Sequence, residues 1–355
     1  MSPSIKNLLT SLVLLVIAGC NMPAATTPTP DLFATLQAST PSGFTPLPVT
    51  GQSATPDFIF APPTPTLAPT GGSIPAPSAS DPLTGKIVFT CQVTKVTASD
   101  QVCIINADGS GFRQLTSNSV RHYYPSLSPD GQSVVYAAFR EQNVYEIYEL
   151  DLNDGSVNRL TNRIGVNNAP EISPDGKSIA FMRGNPNTQQ NQIWIMDRNG
   201  DNPENIPGAL GWDPTWAPDG KFILFASDRD GGAQLFTVSL RGNAIQRISN
   251  LPAIRGRSDW SPDGQFIVTY SGEPWKRELY IMNVDGSNAR QLTPTGGNSQ
   301  GPSISPDGKW VVFTAYFDKY GDDHGCEIYI IRVNGTDLRR LTNNGYCDYQ
   351  PRWGP

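Results

Sequence analysis

The chain has 355 residues, enough for one large or two ordinary domains, and 16% of them are charged against ~25% in an average soluble protein. Its formal net charge of −6 argues against a nucleic-acid binder, which needs a basic surface. With only two histidines available, we expect neither a metal site nor a cofactor.

Residues 1–20 are predicted to be an export signal. Lys6 and the amino terminus supply positive charge, and the apolar run from Leu8 to Ile17 is too short to span the ~30 Å core of a bilayer. The residues Ile17-Ala18-Gly19-Cys20 resemble the lipobox of bacterial lipoproteins, whose cysteine is acylated. This resemblance predicts lipidation of Cys20 and a chain exported to the outer face of the cytoplasmic membrane or the cell envelope, touching membrane through the lipid only. An ordinary secretory signal is the alternative.

Residues 21–84 are predicted to be a disordered tether. They hold 14 prolines and 12 threonines, and Asp31, Asp57 and Asp81 are the only charged residues. Such a composition cannot bury enough apolar surface to offset the entropy of the chain. A plain spacer is favoured over an O-glycosylated segment, and residues 85–355 remain as the folded domain.

An internal repeat of about 44 residues dominates the rest of the chain. A Pro-Asp-Gly turn recurs at a spacing of 45, 44, 44 and 44 residues, beginning at Pro129, Pro174, Pro218, Pro262 and Pro306. Proline, aspartate and glycine favour successive turn positions, and apolar runs such as Phe222–Phe225 follow as buried strands. A second hairpin turn follows in every repeat, so each repeat predicts four strands and almost no helix. Four-stranded units at this period are typical of a β-propeller.

The two ends of the domain supply the missing part of one repeat. Residues Pro351–Pro355 match the first strand of the repeat, and Gly85–Phe89 match the start of its second strand. The C-terminal strand should therefore be the innermost strand of a sheet whose other three strands are N-terminal. We predict an all-β, six-bladed β-propeller with four strands per blade, closed by this pairing.

The repeat resembles that of the TolB-type, WD-repeat-like propellers. The residues Tyr280–Thr293 carry the second half of the family pattern almost intact, and Phe225–Gly232 match its strand-ending loop. The resemblance covers residues 85–355, but the small α/β domain that precedes the propeller in TolB is absent. It implies protein–protein interaction, because that family docks an envelope lipoprotein over the mouth of its channel. The loops here do not match a family motif, so no contact residue is carried over.

Four cysteines remain after Cys20, an even number in an exported chain, which favours disulfides. Three pairings are possible. We favour Cys91–Cys103 across a hairpin and Cys326–Cys347 between adjacent blades, because both would reinforce the seam where the ring closes.

Motifs of catalysis are missing from the sequence. It contains no G-x-S-x-G elbow, H-E-x-x-H helix or phosphate-binding loop, and the serines and aspartates of the repeated turns are predicted to shape those turns. His324 and its acidic neighbours could form a weak cation site, but a solvated loop is favoured. We predict a chain that is not an enzyme.

The variable connections gather on one face, where aromatic and arginine side chains recur. Aligning the repeats places Tyr123, Asn168, Trp212, Gly256, Gln300 and Tyr349 at one equivalent position, just before each inner strand. Together with Tyr124, Asp213 and Arg257, these residues predict a binding rim, since tyrosine, tryptophan and arginine dominate binding hot spots. The alternative is that the aromatic residues simply plug a narrow channel.

Three functions are compatible with this pattern. The first is a monomeric, lipid-anchored binding module for a protein or peptide of the cell envelope, with no nucleic-acid partner. The second is a carbohydrate-binding or carbohydrate-active propeller in which Trp212 and Trp275 stack on sugar rings. The third is a structural spacer without a specific ligand.

Overall fold

The computed structural model describes residues 82–94, 100–141, 144–162, 165–185, 188, 190–254, 256–316 and 325–355. The predicted signal, Cys20, nearly all of the predicted tether and His324 lie outside these residues. Within the described part of the chain, no helix is long and apolar enough to cross a bilayer.

The described residues form 24 strands, named here in chain order. The first eleven are β1 (Lys86–Gln92), β2 (Asp100–Asn106), β3 (Arg113–Gln114), β4 (His122–Leu127), β5 (Ser133–Glu141), β6 (Val144–Asp151), β7 (Val157–Arg159), β8 (Val166–Ile172), β9 (Ser178–Gly184), β10 (Asn191–Asp197) and β11 (Glu204–Leu210). The others are β12 (Trp212–Trp216), β13 (Phe222–Ser227), β14 (Gln234–Ser239), β15 (Ile245–Arg247), β16 (Asp259–Trp260), β17 (Phe266–Ser271), β18 (Glu278–Asn283), β19 (Arg290–Gln291), β20 (Ser299–Ile304), β21 (Trp310–Tyr316), β22 (Cys326–Arg332), β23 (Arg339–Arg340) and β24 (Asp348–Gly354).

These described strands pair into four sheets of four strands and one of eight. The four-stranded sheets are β24-β1-β2-β3, β12 to β15, β16 to β19 and β20 to β23. The eight-stranded sheet contains the antiparallel groups β4 to β7 and β8 to β11, which meet where Tyr145 pairs in parallel with Val166. The architecture is that of an all-β propeller, as the sequence predicts.

The two ends of the domain pair as predicted. Trp353 of β24 lies opposite Ile87 of β1, and β1 continues into β2 and β3. The indole nitrogen of Trp353 also donates to the carbonyl of Thr84 at 2.9 Å. This closing sheet therefore joins both ends of the described chain, with β24 as its innermost strand and β1 paired on both sides.

Apolar clusters lie between successive groups of four strands all the way around the molecule. Phe89, Phe181, Phe225 and Phe313 occupy the middle of the second strand in four groups, and each is completely buried. Burying a side chain of this size contributes ~1.5–3 kcal/mol to folding. The repeated strand sequence thus stabilises the fold by burying a phenylalanine at the same position in four groups.

The repeated Pro-Asp-Gly turns are held by the serine that precedes them. The hydroxyl of Ser173 donates to Asp175 at 2.6 Å and accepts the backbone N–H of Ser178 at 3.0 Å. The same serine–aspartate bond recurs at Ser128, Ser261 and Ser305, whereas the third turn has Ala217 in that position. This bond lowers the pKa of Asp175, and the geometry supports the predicted turn-shaping role of these residues.

Both favoured disulfides are present, and they meet at the closing sheet. Cys91 of β1 bonds to Cys103 of β2, with 5.9 Å between their Cα atoms. Cys326, the first residue of β22, bonds to Cys347, with a Cα separation of 4.5 Å. Because Asp348 pairs with Cys91 in the β24–β1 ladder, the second disulfide fixes the entry of the closing strand.

Removing the second disulfide is expected to weaken the fold measurably. In a Cys326→Ser/Cys347→Ser variant the free energy of unfolding should fall by about 3 kcal/mol, because the unfolded chain is no longer constrained across this loop. Urea unfolding under non-reducing conditions measures the change. With a reducing agent added, wild type and variant should differ far less. Equal urea midpoints without the reductant would contradict the prediction.

Candidate functional site

Antiparallel order divides the connections of the propeller between two faces. The Pro-Asp-Gly turns join first to second strands, so they lie at one end, called here the turn face. Connections from second to third strands, and from one group to the next, lie at the opposite end, called here the loop face. The predicted rim residues lie at the loop-face end of the inner strands.

The equivalent positions lie slightly deeper in the strands than predicted. Tyr123, Trp212 and Gln300 pair with Ala137, Ala226 and Thr314, so they belong to the inner strands rather than preceding them. Asn168 and Tyr349 are likewise within β8 and β24. Gly256 alone stands before its strand. The difference has a physical cause. The first and second strands of these groups pair again on the loop-face side of a local irregularity, which the sequence did not reveal.

That irregularity is a β-bulge repeated in most inner strands. The register shifts between Tyr123 and Ser126, and again between Trp212 and Thr215. The residue after five of the six aligned positions has a positive φ: Tyr124 (53°), Ala169 (50°), Asp213 (53°), Gly301 (58°) and Gln350 (56°). Proline follows at 125, 170, 214, 302 and 351, where its missing N–H suits an unpaired bulge position. The recurring proline was the available sequence signal for these bulges.

Polar side chains of the inner strands meet at the axis of the propeller. The axial charge cluster consists of Glu171, Asp213, Arg257, Asp259 and Arg352. Arg352 forms ion pairs with Glu171 and, at 3.1 Å, with Asp259. Its guanidinium is almost fully buried, as is that of Arg257. The cluster thus places two guanidinium groups and three carboxyl groups in the interior of the ring.

Two carboxylates of this cluster, those of Glu171 and Asp259, also bond to neighbouring inner strands. Glu171 of β8 accepts the hydroxyl of Thr215 at 2.8 Å, and Asp259 of β16 accepts the hydroxyl of Ser303 at 2.8 Å. Arg257 crosses the axis instead, donating to the carbonyl of Pro125 at 3.2 Å and of Pro170 at 3.4 Å. With Arg352 on β24, the network reaches every inner strand and fixes the positions from which the rim residues project.

Burial changes the pKa values inside the axis. It raises the pKa of Asp213 to about 6, although Arg257 and Arg352 oppose the rise. Burial lowers the pKa of Arg257 to about 9, so this guanidinium stays charged at neutral pH. For Arg352, burial acts to lower the pKa, but Glu171 and Asp259 outweigh it and the pKa is raised.

Two rim tyrosines share one buried carboxylate. Tyr123 donates to one oxygen of Asp100 at 3.0 Å, and Tyr349 donates to the other at 2.8 Å. Asp100 is only 3% exposed, whereas both rings are half-buried. Burial and the Asp100 charge raise the pKa of both phenols, which remain protonated. The arrangement holds two aromatic rings of different strands in fixed orientations at the loop face.

The other predicted rim residues divide into half-buried and buried groups. Tyr124, Trp212 and Gln300 are half-buried; Trp212 packs on the apolar cluster between β13 and β17, and Gln300 accepts a bond from Arg277 at 2.9 Å.

Asn168, Asp213 and Arg257 do not lie on an open rim. They are 2%, 8% and 4% exposed, because the bulges and the axial network draw them below the surface. The surface part of the predicted rim is therefore Tyr123, Tyr124, Trp212, Gln300 and Tyr349.

Gly256 explains why the rim is interrupted in one repeat. Its φ is 102°, and a β-carbon there would lie 2.8 Å from the carboxylate of Asp213 and 2.5 Å from the hydroxyl of Tyr270. Glycine therefore makes room for these two groups at the mouth of the axis. Tyr270, which lies on β17 and is 5% exposed, also belongs to this site. The sequence around Tyr270 contains no motif that shows it would lie beside Gly256.

The described residues contain no group of three or more His, Cys, Asp or Glu side chains placed to hold a metal ion. The acidic loop that ends at His324 lies outside them.

A closed ring of β-sheets with side chains of every inner strand meeting at its axis defines a β-propeller protein. The model of the TolB beta propeller domain matches residues 80–321, and the chain belongs to this family.

Individual relatives agree with this assignment. A Tol-Pal system protein TolB of Francisella tularensis is 31% identical over 117 residues, and an uncharacterised protein of Agrobacterium fabrum is 37% identical over 119 residues. Each match covers 33% of this chain but only 27% and 40% of these relatives, respectively. The crystal structure of TolB from Acinetobacter baumannii is similar over 76% of this chain and 67% of its own, with 25% identity and a TM-score of 0.68.

Proposed function

We propose that this chain is a non-enzymatic binding module whose loop face holds a protein partner of the cell envelope over the mouth of the axis. The observation that carries the proposal is the rigid rim. Tyr123 and Tyr349 are fixed by the buried Asp100, above an axial network that joins all inner strands. Aromatic side chains that are already ordered lose little entropy on binding, which favours affinity. The similarity to a protein named for the Tol-Pal system supports a partner of this kind.

The proposal includes six blades and a lipid anchor. Counting β4 to β7 and β8 to β11 as separate blades gives six groups of four strands, with one apolar cluster between each successive pair. The single Tyr145–Val166 pair would then be a contact between blades. Cys20 would carry the lipid, and the Pro/Thr-rich segment would hold the propeller away from the membrane, monomeric and free to meet its partner.

A triple variant tests the binding face. Tyr123→Ala/Trp212→Ala/Tyr349→Ala is expected to lose the envelope protein that wild type captures by cross-linking in intact cells, with affinity at least ~10-fold weaker in purified form. The matched control is Phe112→Ala/Val157→Ala/Phe222→Ala, which removes three exposed apolar side chains from other parts of the surface. Because Trp212 also packs on the core, circular dichroism must show that both variants are folded. Equal capture by all three proteins would refute the proposed face.

A further inference from the structure

The turn between β17 and β18 presents an aromatic side chain in an unusual way. Trp275 is 66% exposed, more than any other large apolar side chain in the described residues. Lys276 N donates to the carbonyl of Glu273 at 2.9 Å, which closes a four-residue turn with Pro274 and Trp275 in its centre. Trp275 has φ 67°. This position of such a turn ordinarily holds glycine or asparagine, because a β-carbon is strained there.

Neither the strain nor the exposure of Trp275 favours folding. A side chain in left-handed backbone costs free energy, and an exposed indole forgoes the gain of burial. Residues held in this way concentrate at sites of interaction. The ring of Tyr316, half-buried at the end of β21, stands at 81° to the indole with 6.4 Å between centroids. Two aromatic rings therefore form a corner on the loop face, with the exposed Glu273 and Lys276 beside it.

We infer that Trp275 and Tyr316 form a platform for one pyranose ring of a β-linked glycan. The flat indole suits the axial C–H face of such a sugar, because the π-face is negative and C–H groups are weakly positive. Glu273 can accept and Lys276 can donate hydrogen bonds to equatorial hydroxyls. Neither Trp275 nor Tyr316 is a residue of the proposed protein-binding rim.

The test uses the full chain and three named oligosaccharides. Wild type is expected to bind β-linked chitohexaose or cellohexaose with millimolar Kd in calorimetry, and α-linked maltohexaose less well. Trp275→Gly should weaken this binding at least ~10-fold, and Trp275→Phe should keep part of it. Because glycine relieves the strain, the Tm of Trp275→Gly should equal or exceed that of wild type. Phe112→Ala, at a side chain 60% exposed, should bind like wild type.

Several results would overturn the inference. One is that wild type binds neither β-linked oligosaccharide at millimolar concentration. Another is that Trp275→Gly binds as wild type does. A lower Tm in Trp275→Gly would show that the indole serves packing on Tyr316 instead. Loss of protein capture in Trp275→Gly without any glycan binding by wild type would assign the platform to a protein. The oligosaccharide and Tm results do not depend on whether the rim variant above fails.

Discussion

Replacing Arg352 with methionine is expected to lower the free energy of unfolding by about 3–5 kcal/mol, the cost of leaving buried charges without their partner. Arg352 is 4% exposed and pairs with both Glu171 and Asp259 in the axis. Methionine keeps much of the side-chain volume, so the loss reports the charges rather than a cavity. Urea unfolding at neutral pH followed by tryptophan fluorescence measures it.

Two control variants separate this effect from a general effect of arginine loss. Arg339→Met removes an exposed guanidinium that pairs with Asp337, and such surface pairs contribute about 0–1 kcal/mol. Arg352→Met/Glu171→Gln/Asp259→Asn removes the stranded charges, so it should recover part of the lost stability. If Arg352→Met unfolds at the same urea concentration as Arg339→Met, the axial network does not hold the ring together.

The contribution of Asp348 to stability should become less favourable as pH rises from about 4 to about 7. This residue is 1% exposed beside Glu327, and burial together with the Glu327 charge raises the pKa of Asp348 to about 7. The folded protein therefore keeps a proton that the unfolded chain releases above its ordinary pKa near 4. The raised pKa of this acid makes folding less favourable by about 4 kcal/mol between pH 4 and pH 7.

Asp348→Asn should remove this contribution. Its amide oxygen can still accept the bond that Asn344 donates to Asp348 at 2.7 Å. The variant should gain stability over wild type as pH rises from 4 to 8, measured by urea unfolding at a series of pH values. Asp154→Asn, at an exposed aspartate whose pKa is lowered by Ser156, should leave that profile unchanged in this range. Parallel profiles for wild type and Asp348→Asn would contradict the raised pKa.

The sequence predicts the features that depend on local turn residues and on the order of the strands along the chain. The period of the Pro-Asp-Gly turns, the pairing of the chain ends and both disulfides follow from turn chemistry and strand order. The bulges were missed because Tyr124 and Asp213 adopt left-handed backbone without being glycine. Only the proline after each of them hinted at an unpaired position.

The burial of Arg257 could not be read from its neighbours in sequence. Its guanidinium bonds to Pro125, 132 residues away, so its environment exists only once the ring has closed. An arginine in a variable loop ordinarily indicates a surface, and this one instead fills the axis. The common strand position of the aligned residues was easier to predict, because aligned repeats show which residues are equivalent even when their burial is unknown.

Photo-cross-linking from both faces is the most direct test of the proposed binding face. Benzoylphenylalanine would be placed at Tyr123 on the loop face and, in a second strain, at Phe222, which is 39% exposed at the turn-face end of β13. Irradiation of intact cells is expected to give an adduct with one envelope protein from position 123 and none with that protein from position 222. The same adduct from position 222, or no adduct from position 123, would contradict binding across the loop face.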